Sequence, residues 1–199
     1  MDLSSLMDVS MKKSSELFNS FEQVDSNNID INLLDNPIIK QLESRLELTP
    51  LSENDKIQLR NDKNYTDSVI EHIGSKEEAE IYSDSSLECV PINGKDALIR
   101  TDIDYSQTDD FGRTNLERME RGLAPLDKDG KSIELHHIGQ NSDAPLAELT
   151  WSEHHANGND TVLHDKQKES EIDRSAFSKE RAEHWQSRAE QIKQSYVEA

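Results

Sequence analysis

Five of the chain's seven histidines fall between Ile133 and His164: His136, His137, His154, His155 and His164. Neutral imidazole is a good ligand for divalent metals. With an unperturbed pKa near ~6.5 it is also the side chain best poised to take a proton near neutral pH. A fold that gathers these rings therefore points to a metal site. The stretch, Ile133–Gln140, a polar loop with Pro145, Leu146–His155 and then Thr161–His164, reads as strand, loop, strand and helix. In an extended strand Glu134 and His136 lie on one face and Leu135 and His137 on the other, so the doublet sends its imidazoles in different directions. One ring can bind metal while its neighbour moves a proton, and a hydrolase using one cation needs both roles close together. The same cluster could instead hold a structural zinc without chemistry.

The flanking sequence predicts an α+β chain. Upstream, Thr114-Asn115-Leu116-Glu117 fits a capping box that opens a helix ending at Gly122, with Leu116, Met119 and Leu123 as its apolar stripe. Lys128-Asp129-Gly130-Lys131 reads as a turn. Downstream, Phe177, Trp185, Ala189, Ile192 and Tyr196 fall near one face of a long helix from Ile172 to Tyr196. Leu87–Val90 and Ala97–Arg100 flank Asn93-Gly94, whose tolerance of positive φ predicts a hairpin, and Pro91 confines its strand to a sheet edge. Short helices are expected after Ser52, after Thr66 up to Gly74, and from the capping box Ser75-Lys76-Glu77-Glu78 to about Tyr82. Further upstream, Asn36-Pro37 starts a helix with Ile38, Ile39, Leu42 and Leu46 that runs to Pro50, and residues 1–26 carry a loose helical spacing. This reading divides the chain into a helical acidic region, 1–70, and a second domain, 71–199, with its core at 111–199.

The second domain resembles the LHH branch of the HNH/endonuclease VII nucleases, ββα-metal enzymes found as toxic tips of bacterial polymorphic toxins. The resemblance rests on Gly112-Arg113-Thr114-Asn115-Leu116-Glu117-Arg118-Met119 with Gly122-Leu123-Ala124-Pro125, then Leu135-His136-His137-Ile138-Gly139-Gln140 and Pro145-Leu146-Ala147-Glu148-Leu149-Thr150. It continues through Glu153-His154, Leu163-His164 and the tail Ile172-Asp173-Arg174, Phe177, Arg181, Trp185 and Arg188. It implies an endonuclease that hydrolyses DNA phosphodiesters with one divalent ion (Zn, Mg, Mn or Ni). It also looks like the DNase colicins, in which the first His of the doublet binds metal and the second is the general base. Carried over, His136 and His154 become ligands and His137 the base, with His164 the best candidate for the remaining ligand. The chain departs from the colicin pattern, which spaces its last two ligands one helical turn apart, so His155 competes with His164. The asparagine that orients the base in HNH enzymes has no obvious counterpart, Asn141 and Asn159 being the nearest candidates. Glu148 and Glu153 are read as carboxylates that orient an imidazole, not as ligands.

Charge sits awkwardly with nucleic acid, because the net charge is −19. The acidity is uneven: residues 1–110 carry 10 Lys+Arg against 24 Asp+Glu, and residues 111–199 carry 12 against 17. Arg113, Arg118, Arg121, Arg174, Arg181 and Arg188, with a bound cation, are the groups available to build a positive cleft. The single cysteine, Cys89, excludes an internal disulfide or a cysteine-based metal site. No apolar run approaches the roughly 20 residues of a membrane helix, and Met1–Asp8 is acidic where a signal peptide would be basic. The expectations are synthesis in a bacterial cytoplasm, delivery by another route through a secretion-system adaptor or carrier, and no membrane insertion. A toxin of this family would also meet a cognate immunity protein. The rival readings are an RNase and a zinc-stabilised protein-binding module with a degenerate site.

Overall fold

A computed structural model describes residues 47–165 and 173–198, all of them in the unit Leu46–Ala199. The helices expected over residues 1–26 and 36–50 lie outside the described residues except for 47–50, which are not helical. The described elements are α1 (Glu53–Asp62), α2 (Asp67–Ile70), α3 (Lys76–Asp84), β1 (Leu87–Ile92), β2 (Lys95–Arg100), α4 (Asn115–Glu120), β3 (Glu134–His137), β4 (Leu146–Leu149), α5 (Trp151–His155), α6 (Asn159–Leu163) and α7 (Arg174–Glu198). The α+β class, the hairpin, the strand–loop–strand–helix order and the long C-terminal helix agree with the sequence reading. Among the described residues no helix is long and apolar enough to cross a membrane.

Helix starts follow the caps. Ser52, Thr114 and Thr150 each form a full capping box, with Asp55, Glu117 and Glu153 returning their carboxylates to the cap N–H. At Ser75 only half forms. Its hydroxyl accepts from Glu78 N–H, but the Glu78 carboxylate instead accepts from Gly74 N–H, Gly139 N–H and the Tyr82 hydroxyl. Burial pushes the Glu78 carboxyl up despite those three donors.

The hairpin and the histidine strands join in one four-stranded sheet, ordered β1-β2-β4-β3, with β2 and β4 parallel and the other pairs antiparallel. Asn93 and Gly94 both take positive φ, 54° and 76°, in the two-residue turn, and Pro91 lies on an edge strand. Registry sets the faces. Leu135 and His137 pair with Glu148 and Leu146, while Glu134 and His136 pair with Leu149 and Ala147. The first face packs Leu135 and Leu146 against Met119 of α4 and Trp185, Ala189 and Ile192 of α7. The second packs Ala147, Leu149 and Leu98 against Leu59, Tyr65, Val69, Ile70, Tyr82 and Leu163. Tyr196 is exposed, so α7 outruns the core.

Residues 53–70 thus share a core with β2 and β4, across the division expected at residue 70. The turn after His137 is fastened to the same helices. Gly139 takes φ 65°, and a Cβ there would stand 2.1 Å from the His72 carbonyl oxygen. Only glycine admits both that backbone and that approach.

Candidate metal centre and catalytic strand

Strand β3 delivers His136 to the helical face. His154 arrives from the last turn of α5, and His164 from the C-cap of α6. The link between those helices, Ala156–Gly158, holds Asn157 and Gly158 at positive φ, 56° and 88°. That tight reversal brings His164 back beside His154 despite the long spacing in sequence. The three rings pack with centroids 5.1 Å (His136–His154), 5.1 Å (His136–His164) and 4.9 Å (His154–His164) apart. One ligand nitrogen from each lies within 4.8 Å of the others.

Carboxylates fix which nitrogens are available. Glu134 accepts from His154 Nδ1, and the Asp160 carboxylate and carbonyl both lie 3.2 Å from His164 Nδ1. A carboxylate oxygen accepts, so those Nδ1 atoms carry the protons and both Nε2 lone pairs are left to ligate. His154 Nε2 faces His136 Nδ1 at 3.3 Å. Two nitrogens each about 2.0–2.1 Å from a tetrahedral ion stand about 3.3–3.4 Å apart, so the pair fits a shared cation. Burial, with the neighbouring imidazoles adding to it, pushes His136 well below the ordinary histidine range. His154 is also lowered by burial, against the opposing pull of Glu134. Both shifts favour the neutral, ligating form.

His155, one-third exposed, sends Nε2 to Glu134 at 2.8 Å and with Glu134 and His154 forms a second, overlapping group of ligand atoms. The ring grouped with His136 and His154 is that of His164.

On the opposite face, His137 is 3% exposed. Its Nε2 stands 2.9 Å from Glu180 Oε2 of α7, and its ring lies 4.5 Å from Phe177. Among the described residues its Nδ1 is buried with no hydrogen-bond partner, as is His136 Nε2.

The other candidate orienting residues have different tasks. Asn141 accepts from Asp143 N–H and Asn159 donates to the Glu153 carbonyl, whereas the hydrogen-bond partner of His137 is Glu180. Glu153 caps α5 and pairs with Arg100. Glu148, fully buried, does hold an imidazole, but it is that of His184 on α7 at 2.8 Å; it also accepts from Arg188 Nε at 2.9 Å and Arg100 N–H at 2.8 Å. The carboxylates at the candidate site are instead Glu134, Asp160 and Glu180. Glu134 was legible, since it sits two residues before His136 on the same strand face. Asp160 and Glu180 had no local signal.

Three of the six arginines available for a positive cleft, Arg113, Arg118 and Arg188, are held in ion pairs. Asp109 binds Arg113 and Arg118, and although burial opposes it, those partners hold its carboxyl far below the usual range. Asn115, fully buried, ties the Asp104 and Leu126 carbonyls and the Leu126 N–H.

Residues 114–191 match the model of the LHH family, a nuclease of the HNH/ENDO VII superfamily with conserved LHH. This region is similar to the LHH nuclease family. Its Leu-His-His is Leu135-His136-His137, and the matched span runs from the cap of α4 into α7. No solved structure matches the chain.

Proposed function

We propose that the chain is a divalent-metal-dependent endonuclease that hydrolyses DNA phosphodiester bonds and acts as an antibacterial effector. The observation that carries the metal dependence is the convergence of His136, His154 and His164, with the His154 and His136 nitrogens 3.3 Å apart. These three would hold the ion. When bound, a divalent cation supplies charge neutralisation at the phosphate and the leaving oxygen. Glu134 and Asp160 keep the ligating tautomers of His154 and His164. His137 receives the proton of the attacking water at a ring nitrogen, a role that contributes about 10²- to 10⁴-fold. Buried on the face away from the three-imidazole cluster, it is kept out of the ligand set, which supports a division between binding metal and moving a proton.

The effector role, with a cognate immunity protein and delivery by a secretion system, is supported by the resemblance to toxin tips. The carboxylates around the cluster favour a cation and disfavour phosphate, so metal binding should precede nucleic acid binding. The test is cleavage of supercoiled plasmid by the purified full-length chain, stripped with chelator and reloaded with Zn²⁺, Mg²⁺, Mn²⁺ or Ni²⁺. Nicking restored by a reloaded ion supports the reading. Metal binding without cleavage of DNA or RNA would favour a protein-binding module, and cleavage of RNA alone would change the substrate.

A further inference from the structure

The first turns of α7 place Phe177, Glu180, Arg181 and His184 at the i, i+3, i+4 and i+7 positions of one helix face. Three of them bear on the doublet's second imidazole. Phe177 packs on the His137 ring, Arg181 lies over Phe177 at 4.8 Å, and Glu180 reaches His137 Nε2. Glu180 is itself held from the sheet, with Lys95 Nζ 3.8 Å from its other oxygen.

We propose that Glu180 is the positioning residue for His137, filling from the C-terminal helix the task for which the histidine strands supply no side chain. This rests on the reading of His137 as the base. A carboxylate oxygen can only accept from an imidazole N–H, so the contact fixes the tautomer with hydrogen on Nε2 and the lone pair on Nδ1. Nδ1 is the buried nitrogen left without a partner among the described residues, in keeping with an acceptor reserved for a water proton. Phe177 removes the remaining freedom of the ring by packing against its face. As the water loses its proton to Nδ1, the imidazolium that forms already has its counter-charge at Nε2. Glu180 takes no proton and touches no substrate, acting only through His137.

The test uses the full-length chain with its metal and a labelled DNA duplex. Glu180→Gln and Glu180→Ala should lower kcat by at least about 10²-fold, with KM within about twofold and metal content at the parental level. Glu180→Asp should recover part of the loss. The double variant His137→Ala with Glu180→Gln should be no slower than His137→Ala alone, because residues that act as one unit are not additive. Nitrogen-15 NMR of the histidine rings in the parent chain gives a readout independent of cleavage and of any variant. His137 should carry its proton on Nε2, and that preference should weaken in Glu180→Gln. A parental kcat in Glu180→Gln beside an inactive His137→Ala, or a His137 ring protonated on Nδ1, would overturn the proposal alone. A fully active His137→Ala would overturn the base assignment and the proposal with it.

Discussion

At the residue scale, strand pleat alone sends the two imidazoles of the doublet to opposite faces, and the proposed roles of ligand and base follow that division. His137→Ala should therefore abolish cleavage, by about 10²- to 10⁴-fold or more, while metal content and melting temperature stay near parental. Plasmid nicking alongside metal analysis checks both halves, and a variant that cuts at the parental rate contradicts the role. Gly139 offers a different kind of test. Gly139→Ala forces a Cβ into the His72 carbonyl at a positive φ, so it should cost about 2–4 kcal/mol in urea unfolding. The alternation of Glu134, Leu135, His136 and His137 was legible because period-2 geometry needs no tertiary information. The partners of those rings were not. Asp160 reaches His164 because of the turn at Asn157-Gly158, and Glu180 reaches His137 across 43 residues of sequence.

At the scale of elements, α7 is anchored to the sheet by polar as well as apolar contacts. Glu148 on β4 sits fully buried between His184, Arg188 and the Arg100 N–H. Burial alone would raise its carboxyl, but His184 and Arg188 hold it below the ordinary value. The folded pKa is thus depressed, so the stability it contributes is present above the unfolded pKa near ~4.3 and is lost as pH falls through the folded value. Glu148→Gln breaks the cluster and leaves Arg188 uncompensated, which should cost about 3–5 kcal/mol at pH 7. Thermal melts from pH 7 to pH 3 should show the gap between parent and variant closing at the acid end; a constant gap would mean that charge is not what Glu148 contributes. The helix starts after Ser52, Thr66 and Thr114 and the Asn93-Gly94 turn were readable because each is a local hydrogen-bonding device, and the capping box at Thr150 is a further one that the structure shows. That the hairpin would join β4 in parallel was not, since nothing in either strand encodes its non-local neighbour.

At the scale of the molecule, α1 and α2, which precede residue 71, share the core packed on the sheet. A fragment starting at Glu71 loses Leu59, Tyr65, Val69 and Ile70, all buried. At about 1.5–3 kcal/mol per buried apolar side chain, that is on the order of the whole stability of a domain. Such a fragment should be unfolded by circular dichroism, whereas one starting at Leu46 should fold and cut; a folded, active chain from Glu71 would contradict this. The expected division at residue 70 followed the acidic composition of the N-terminal half, and composition does not report which helices share a core. Whether His136, His154 and His164 hold one cation is measured by titrating Zn²⁺ into the full-length chain against a chromophoric chelator. One ion per chain is expected, with affinity lowered by His136→Ala, His154→Ala and His164→Ala and close to parental in His155→Ala. Parental affinity in His164→Ala with loss in His155→Ala would contradict it, and would move the ion to Glu134, His154 and His155.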